Sequence, residues 1–263
     1  MAGHVIFKYL KLRGYEVTGI AKNFYQPTEN ELLFDVRNFD NLRSFIIEGE
    51  FDVIVNAVGV LIEDSVNDTR QAFELNALLP IYLNSLSKEL HFKPIFISTD
   101  CVFDGKDGAY SVKDIPNAKD IYGLTKRLGE VIEDNKTLTI RTSIIGPELK
   151  NGSGLWNWFS KQTGSIYGFS RVFWSGVTTL ELARYIVFSI DNNITGIQHL
   201  TNGCPISKFE LLKILKSNGV NDNIEILKNP IPKSNKTLML NDLKGFNVGK
   251  YNNMIASLLK FTS

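Results

Sequence analysis

Short apolar runs alternate with longer amphipathic segments through most of the first 190 positions of the chain. Glu16-Val-Thr-Gly-Ile20 predicts a short strand. Phe51-Asp-Val-Ile-Val-Asn56 predicts a buried one that ends in a polar residue. Lys93-Pro-Ile-Phe-Ile-Ser98 is a third, again ending in hydroxyls, and Leu138-Thr-Ile-Arg141 is a fourth. Helical patterns lie between them, at roughly residues 39–48, 68–90 and 122–134, and a further helix runs from Val5 to Arg13. Strands alternating with helices imply a parallel sheet with helices on both faces and right-handed crossovers. Ligands of such sheets bind beyond the carboxyl ends of the strands, where Asn56, Ser98, Thr99 and Arg141 fall.

After Gly146 the pattern changes. Asn151-Gly-Ser-Gly154 reads as a loop, and Leu155-Trp-Asn-Trp-Phe159 begins an aromatic-rich helix. Residues 178–190 and 207–217 read as helices. Ser207 is placed to cap the second of these, with Glu210 at the capping-box position. From Pro230 onward short polar and apolar pieces alternate. No internal repeat or low-complexity segment is evident.

The front of the chain departs from the pattern of a doubly wound nucleotide-binding sheet. Such a sheet opens with a strand, a Gly-rich turn and a helix, whose N-terminus meets the pyrophosphate. Here Met1-Ala-Gly3-His4 leads directly into the helix. The expectation is that Met1 lies inside a longer chain, with the first strand and the leading glycines preceding it.

Composition narrows the function classes. The formal net charge is +1 over 263 residues, with no basic stripe, which argues against nucleic-acid binding. Two cysteines, Cys101 and Cys204, make no disulfide scaffold and suit a reducing, cytoplasmic setting. His4, His91 and His199 have no metal-ligand spacing, so no metal site is expected. No apolar run reaches the roughly 20 residues of a membrane span.

The chemistry concentrates in Tyr122-Gly-Leu-Thr-Lys126 and Ser98-Thr99-Asp100. A tyrosine and a lysine four apart share one helix face. A phenol has an unperturbed pKa of about 10, and a nearby ammonium lowers it. At an effective dielectric of about 20, unit charges about 4 Å apart interact by roughly 4 kcal/mol. A hydroxyl from Ser98 or Thr99 would hold the carbonyl or alcohol that exchanges the proton. This is the layout of a ketone/alcohol oxidoreductase. Cys101, without a neighbouring histidine, reads as a packing residue.

Taken together, Ser98-Thr-Asp-Cys-Val-Phe-Asp-Gly105, Tyr122-Gly-Leu-Thr-Lys126 with Gly129-Glu130, and Ile140-Arg-Thr-Ser143 resemble an established family. Asn56-Ala-Val-Gly59, Phe73-Glu-Leu-Asn-Ala-Leu-Leu-Pro80 and Trp174-Ser-Gly-Val-Thr-Thr179 fit as well. The chain resembles the extended short-chain dehydrogenases/reductases, in their dTDP-4-dehydrorhamnose reductase-like, sugar-nucleotide-binding branch, over nearly its whole length. The resemblance implies a Rossmann-type doubly wound α/β fold. Residues 1–145 would form the dinucleotide-binding domain and 146–263 a smaller α/β substrate-binding lobe, with 172–192 packing back onto the first.

It also implies roles. Tyr122 would be the general acid, with Lys126 lowering its pKa and holding the nicotinamide ribose, and Thr99 would bind the reacting oxygen. Gly3, His4, Asn56, Ala57, Gly59, Asn76 and Ser98 would line the cofactor, with Asp35 and Val36 beside the adenine. Asp100, Val102, Phe103, Arg141, Trp156 and Trp174 would face the nucleotide-sugar substrate; Trp158, Phe169 and Arg171 are further candidates. The segment Gly19-Ile-Ala-Lys22 has no acid to read a ribose hydroxyl, and Lys22 could meet a 2′-phosphate, so NADPH is favoured over NADH. The expected activity is NAD(P)H-dependent reduction of a nucleotide-linked 4-keto-6-deoxy sugar for surface polysaccharide synthesis. Two alternatives stay open: a nucleotide-sugar epimerase or dehydratase using Asp100, and a non-catalytic cofactor-binding regulatory subunit. The resemblance allows a homodimer without specifying one.

Overall fold

The computed structural model describes all residues except 25, 26, 131–134, 150, 151, 153 and 263. In chain order the elements are α1 (Ala2–Leu12), β1 (Gly19–Ala21), β2 (Glu31–Leu33), α2 (Phe39–Gly49), β3 (Val53–Asn56), α3 (Ile62–Asn67) and α4 (Thr69–Ala72). A π-helical turn (Phe73–Leu78) leads into α5 (Leu79–Leu90), β4 (Lys93–Thr99), a 3-10 turn (Asp100–Val102), α6 (Ile121–Leu128), β5 (Leu138–Thr142) and β6 (Ile144–Ile145). Then come α7 (Leu155–Ser160), β7 (Ser165–Phe169), β8 (Val172–Trp174), β9 (Val177–Thr178), α8 (Thr179–Asp191) and β10 (Gly196–His199). The remainder is β11 (Ile206–Ser207), α9 (Lys208–Ser217), β12 (Glu225–Asn229), β13 (Ser234–Asn235) and α10 (Tyr251–Thr262).

The expected parallel sheet is present as β10-β5-β4-β3, all parallel. β4 and β5 sit inside it, and β5 is buried at every position, its polar Thr139, Arg141 and Thr142 included. β1 and β2 form a separate parallel pair. Among the described residues β1 and β3 each keep one unpaired edge. The first strand lies at 19–21 rather than 16–20, because Val17 is used for packing against the main core and not for pairing.

The expected helix over 68–90 is interrupted. Pro80 has no N–H to give the carbonyl of Asn76, and the ladder there slips to a wider turn, with the Leu79 N–H bonded to Glu74 O. The expected helix from 122 is described over 121–128, and its predicted end at 131–134 lies outside the described residues, as does part of the 151–154 loop. Ser207 and Glu210 form the anticipated capping box on α9.

The chain beyond 146 does not stay apart from the first sheet. α8 shares a buried core with α1 through Val5, Ile6, Leu182 and Ile186, and β10 joins the sheet beside β5. The tail read as irregular ends in α10, which buries Met254, Ile255 and Leu258 in the same core. The smaller lobe is made of β7 with β12, and of β8 between β11 and β13, with α9 against them.

Candidate functional site

The carboxyl end of β4 meets the first turn of α6. Thr99 caps the 3-10 turn, its Oγ1 accepting from the Cys101 N–H at 3.1 Å, and it donates to Asp100 Oδ1 at 3.2 Å. Asp120 caps α6 by accepting the Gly123 N–H at 2.8 Å. Gly123 is required where it stands, since a Cβ would meet the carbonyl oxygen of Cys101 at 2.3 Å. That close approach seats the start of α6 against the turn after β4, with Cys101, Thr99 and Asp100 among the groups acting on the Tyr122 phenol.

Tyr122 and Lys126 are half-buried side chains whose polar ends lie among neighbouring atoms. Burial pushes the phenol above its ordinary range, with the Cys101 and Asp100 groups adding to it. The Lys126 ammonium donates to Ile97 O at 2.7 Å, and the net shift of the phenol is upward rather than the downward one expected from Lys126. Burial lowers Lys126 itself to about 8, opposed by the nearby Glu130 carboxylate. Tyr122 therefore remains protonated at neutral pH, the form a proton donor needs.

Asn76 ties the site to the loop after β3. Its Oδ1 accepts from Val60 N at 2.9 Å, and its Nδ2 donates to Val60 O at 3.0 Å and Thr125 Oγ1 at 3.2 Å. The Asn76 carbonyl, displaced by the π turn, lies where a Cβ on Gly129 would come within 2.0 Å. A glycine at 129 thus lets α6 close onto that turn.

Below this layer lies a buried polar cluster that the sequence reading assigned differently. Arg141 holds Glu130 through two contacts of 2.8 Å, and Ser98 donates to Glu130 Oε1 at 2.6 Å. Arg141 also reaches His199 Nε2 at 3.4 Å and lies over the Phe103 ring. Arg141 is 1% exposed, so its assignment to substrate is corrected to an internal ion pair. Ser98, paired with Glu130, serves this cluster. Glu130 and His199 were missed as members of it; the Tyr122, Lys126, Glu130 spacing of four was the available signal.

Other expected substrate residues divide. Val102 and Phe103 are fully buried with Tyr110 and Leu238, so they support the segment after β4 and make no surface for a sugar. Trp156 is buried in the main core. Trp174 is buried too, but its ring carries the Lys208 ammonium at 5.3 Å. Trp158, Phe169 and Arg171 are exposed. Cys101 is packed, its thiol pushed up to about 12 by burial, as suits a packing residue.

The residues assigned to the cofactor gather on the open side of the sheet. Ala57 and Gly59 are exposed just after β3, and a Cβ on the exposed Gly3 would lie 3.9 Å from Ala57 Cβ. The start of α1 thus faces the end of β3. No side chain caps α1, and its first turn has no acidic residue, which suits a dinucleotide's phosphates. Burial, then nearby cations, lowers His4 to about 4, so it is neutral there. Asn56 is buried and braces the turn by accepting from Val58 N at 3.0 Å. At the end of β2, Asp35 is held by Arg37 at 2.5 Å, with Lys22 acting on the same carboxylate and Val36 half-buried beside it. Arg37 is a second cation beside Lys22 that the sequence reading passed over. These residues fit NAD(P): glycines where backbone must be approached, an uncapped helix start, and two cations near the strand end.

Known proteins share this fold. A model of the RmlD substrate binding domain matches residues 1–237. The spore coat polysaccharide biosynthesis protein SpsK of Bacillus subtilis is 26% identical over 148 residues, which are 54% of this chain and 49% of SpsK. The match thus spans about half the length of that curated relative. A hypothetical dTDP-4-dehydrorhamnose reductase from Sulfolobus tokodaii superposes with a TM-score of 0.80 at 26% identity, covering 96% of this chain and 95% of that one. The dTDP-4-dehydrorhamnose reductase of Bacillus anthracis, in complex with NADP, gives 0.83 at 20% identity over 100% and 96%. The chain belongs to the RmlD substrate-binding domain family.

Proposed function

We propose that the chain is an NAD(P)H-dependent oxidoreductase of sugar nucleotides, reducing a nucleotide-linked 4-keto-6-deoxy sugar for deoxysugar and surface polysaccharide synthesis. The observation that carries the reading is the Tyr122 phenol beside Thr99 at the end of β4, with Lys126 one turn along α6. Thr99 and Tyr122 position the sugar carbonyl oxygen. The reduced nicotinamide, when bound, supplies a hydride to the carbonyl carbon. Tyr122 gives its proton to the oxygen, so that the ketone becomes an alcohol. Lys126, held charged beside Glu130, hydrogen-bonds the ribose and helps to replace that proton. Ala57, Gly59, Gly3 and the start of α1 hold the dinucleotide, with Lys22 and Arg37 favouring NADPH. The family membership, and the names of the superposed reductases, support this assignment. Exposed apolar side chains on α3, α5 and α6, Ile62, Val66, Ile81 and Leu128 among them, suit a second copy as partner.

The test is to incubate the chain with NADPH and a dTDP-linked 4-keto-6-deoxyhexose and to analyse the sugar nucleotide by mass. The expected product is heavier by two hydrogens, with equal NADP⁺ formed. Cofactor binding without reduction of dTDP-, UDP- or GDP-linked 4-keto sugars would overturn the reading.

A further inference from the structure

The helix that carries Tyr122 is seated on the strand that carries Thr99 at three levels. At the start of α6, Gly123 lies against the Cys101 carbonyl oxygen, where a Cβ would come within 2.3 Å. One turn on, the Lys126 ammonium donates to Ile97 O at 2.7 Å. Past the end of the helix, the Glu130 N–H donates to Arg127 O at 3.1 Å, and the Glu130 carboxylate accepts the Ser98 hydroxyl at 2.6 Å. Of the three, this last tie joins side chain to side chain.

Its surroundings are polar in the middle of a sheet. The register sets Ser98, Arg141 and His199 opposite one another on β4, β5 and β10, so the three side chains share one face. They are 6%, 1% and 0% exposed. Arg141 reaches both oxygens of Glu130 at 2.8 Å. Its guanidinium also lies 5.3 Å from the centre of the Phe103 ring, in the segment that follows Thr99.

Such a rung adds little stability, since apolar side chains of the same volume serve as well or better. What it supplies is direction. A carboxylate held at both oxygens by one planar guanidinium is fixed in orientation, so the Ser98 hydroxyl meets an acceptor that does not turn. Ser98 directly precedes Thr99, and Glu130 directly follows the helix of Tyr122 and Lys126. Their bond therefore fixes one reacting group against the other along the strand.

We propose that Glu130 is a positioning residue for the reaction: clamped by Arg141, it holds Ser98 and thereby sets the spacing of the Thr99 hydroxyl and the Tyr122 phenol across the sugar carbonyl. The proposal rests on the reductase reading above. The Glu130 side chain is 1% exposed, so it meets neither sugar nor cofactor and acts through Ser98 and the end of α6.

The test follows NADPH consumption with a dTDP-linked 4-keto-6-deoxyhexose in Ser98→Thr and Ser98→Val. These differ by a methyl group in place of a hydroxyl at nearly equal volume, and both leave the Glu130–Arg141 pair intact. Ser98→Thr should retain most of the turnover. Ser98→Val should lower kcat by about ten- to a hundredfold, the scale of reacting groups displaced by up to ~1 Å. KM and NADPH affinity should be unchanged, and so should the pH at which kcat falls, because no proton passes through Ser98. Ser98→Ala carries the same expectation and serves should Ser98→Val fail to fold. Equal kcat in the folded Thr and Val variants would overturn the positioning role, as would a loss carried by KM or a shifted pH profile. No reduction of any 4-keto sugar nucleotide by the unaltered chain with NADPH bound would overturn the reductase reading, and the positioning role with it.

Discussion

The two halves of the site are built to different standards. At the end of β4, Ser98, Thr99, Asp100, Asn76 and Glu130 are all at least nine-tenths buried, and each is tied by hydrogen bonds to its neighbours. At the front, Gly3, Lys22, Asp35, Ala57 and Gly59 are exposed, α1 starts without a side-chain cap, and β1 and β3 do not pair. Proton transfer needs groups fixed in a dry setting, where they gain strength and need no rearrangement. Holding a dinucleotide needs open backbone N–H groups and cations that the ligand itself will satisfy. On the proposed function, the proton-handling half is fixed by bonds within the chain, whereas the cofactor half presents its residues at the surface.

The sharpest way to separate the halves is Tyr122→Phe. Turnover should fall by about a hundred- to ten-thousandfold, with NADPH affinity, followed by fluorescence, within about twofold of the unaltered chain. An equal loss in both would mean that the halves are not separable.

The buried cluster should be the most fragile part of the proton-handling half. Glu130→Leu leaves Arg141 charged and unpaired, which should cost about 3–5 kcal/mol in chemical denaturation. Adding Arg141→Met should recover much of that loss. No recovery would mean that the pair acts through packing alone.

His199 extends the same contrast to pH. Its imidazole, fully buried beside Arg141, is lowered from 6.5 to about 4, first by burial and then by that cation. The unfolded chain therefore takes up this proton first as pH falls. The contribution is fully present above pH 6.5 and is lost down to about pH 4, amounting to roughly 3 kcal/mol. His199→Gln should flatten that slope in urea melts between these pH values.

The front should respond least. Lys22→Ala should weaken NADPH by about two- to fivefold, the scale of one partly exposed charge contact, and leave NADH unchanged. Arg37→Ala should behave in the same way. Equal effects on both cofactors would remove the 2′-phosphate assignment.

The same division explains what the sequence made legible. The proton-handling residues lie in two short motifs whose spacing is set by a strand end and a single helix turn, so Thr99, Tyr122 and Lys126 could be read directly. The direction of the Lys126 ammonium could not, because Ile97 O belongs to a strand 29 positions earlier. Arg141 was misread because a polar residue at a strand end has the same signature whether it meets a ligand or a buried Glu130. The π turn was hidden because the apolar period continues through it, and only the place of Pro80 hints at the slip. β2 was missed because it is short and two of its three residues are exposed. α10 was missed because its apolar positions sit in a tail rich in Asn and Lys.

The measurement that tests the account most directly is a fluorescence titration of the chain with NADPH and with NADH. Saturable binding of both, tighter for NADPH, is the predicted result. No saturable binding of either would contradict the claim that the open face between α1 and β3 is a dinucleotide site.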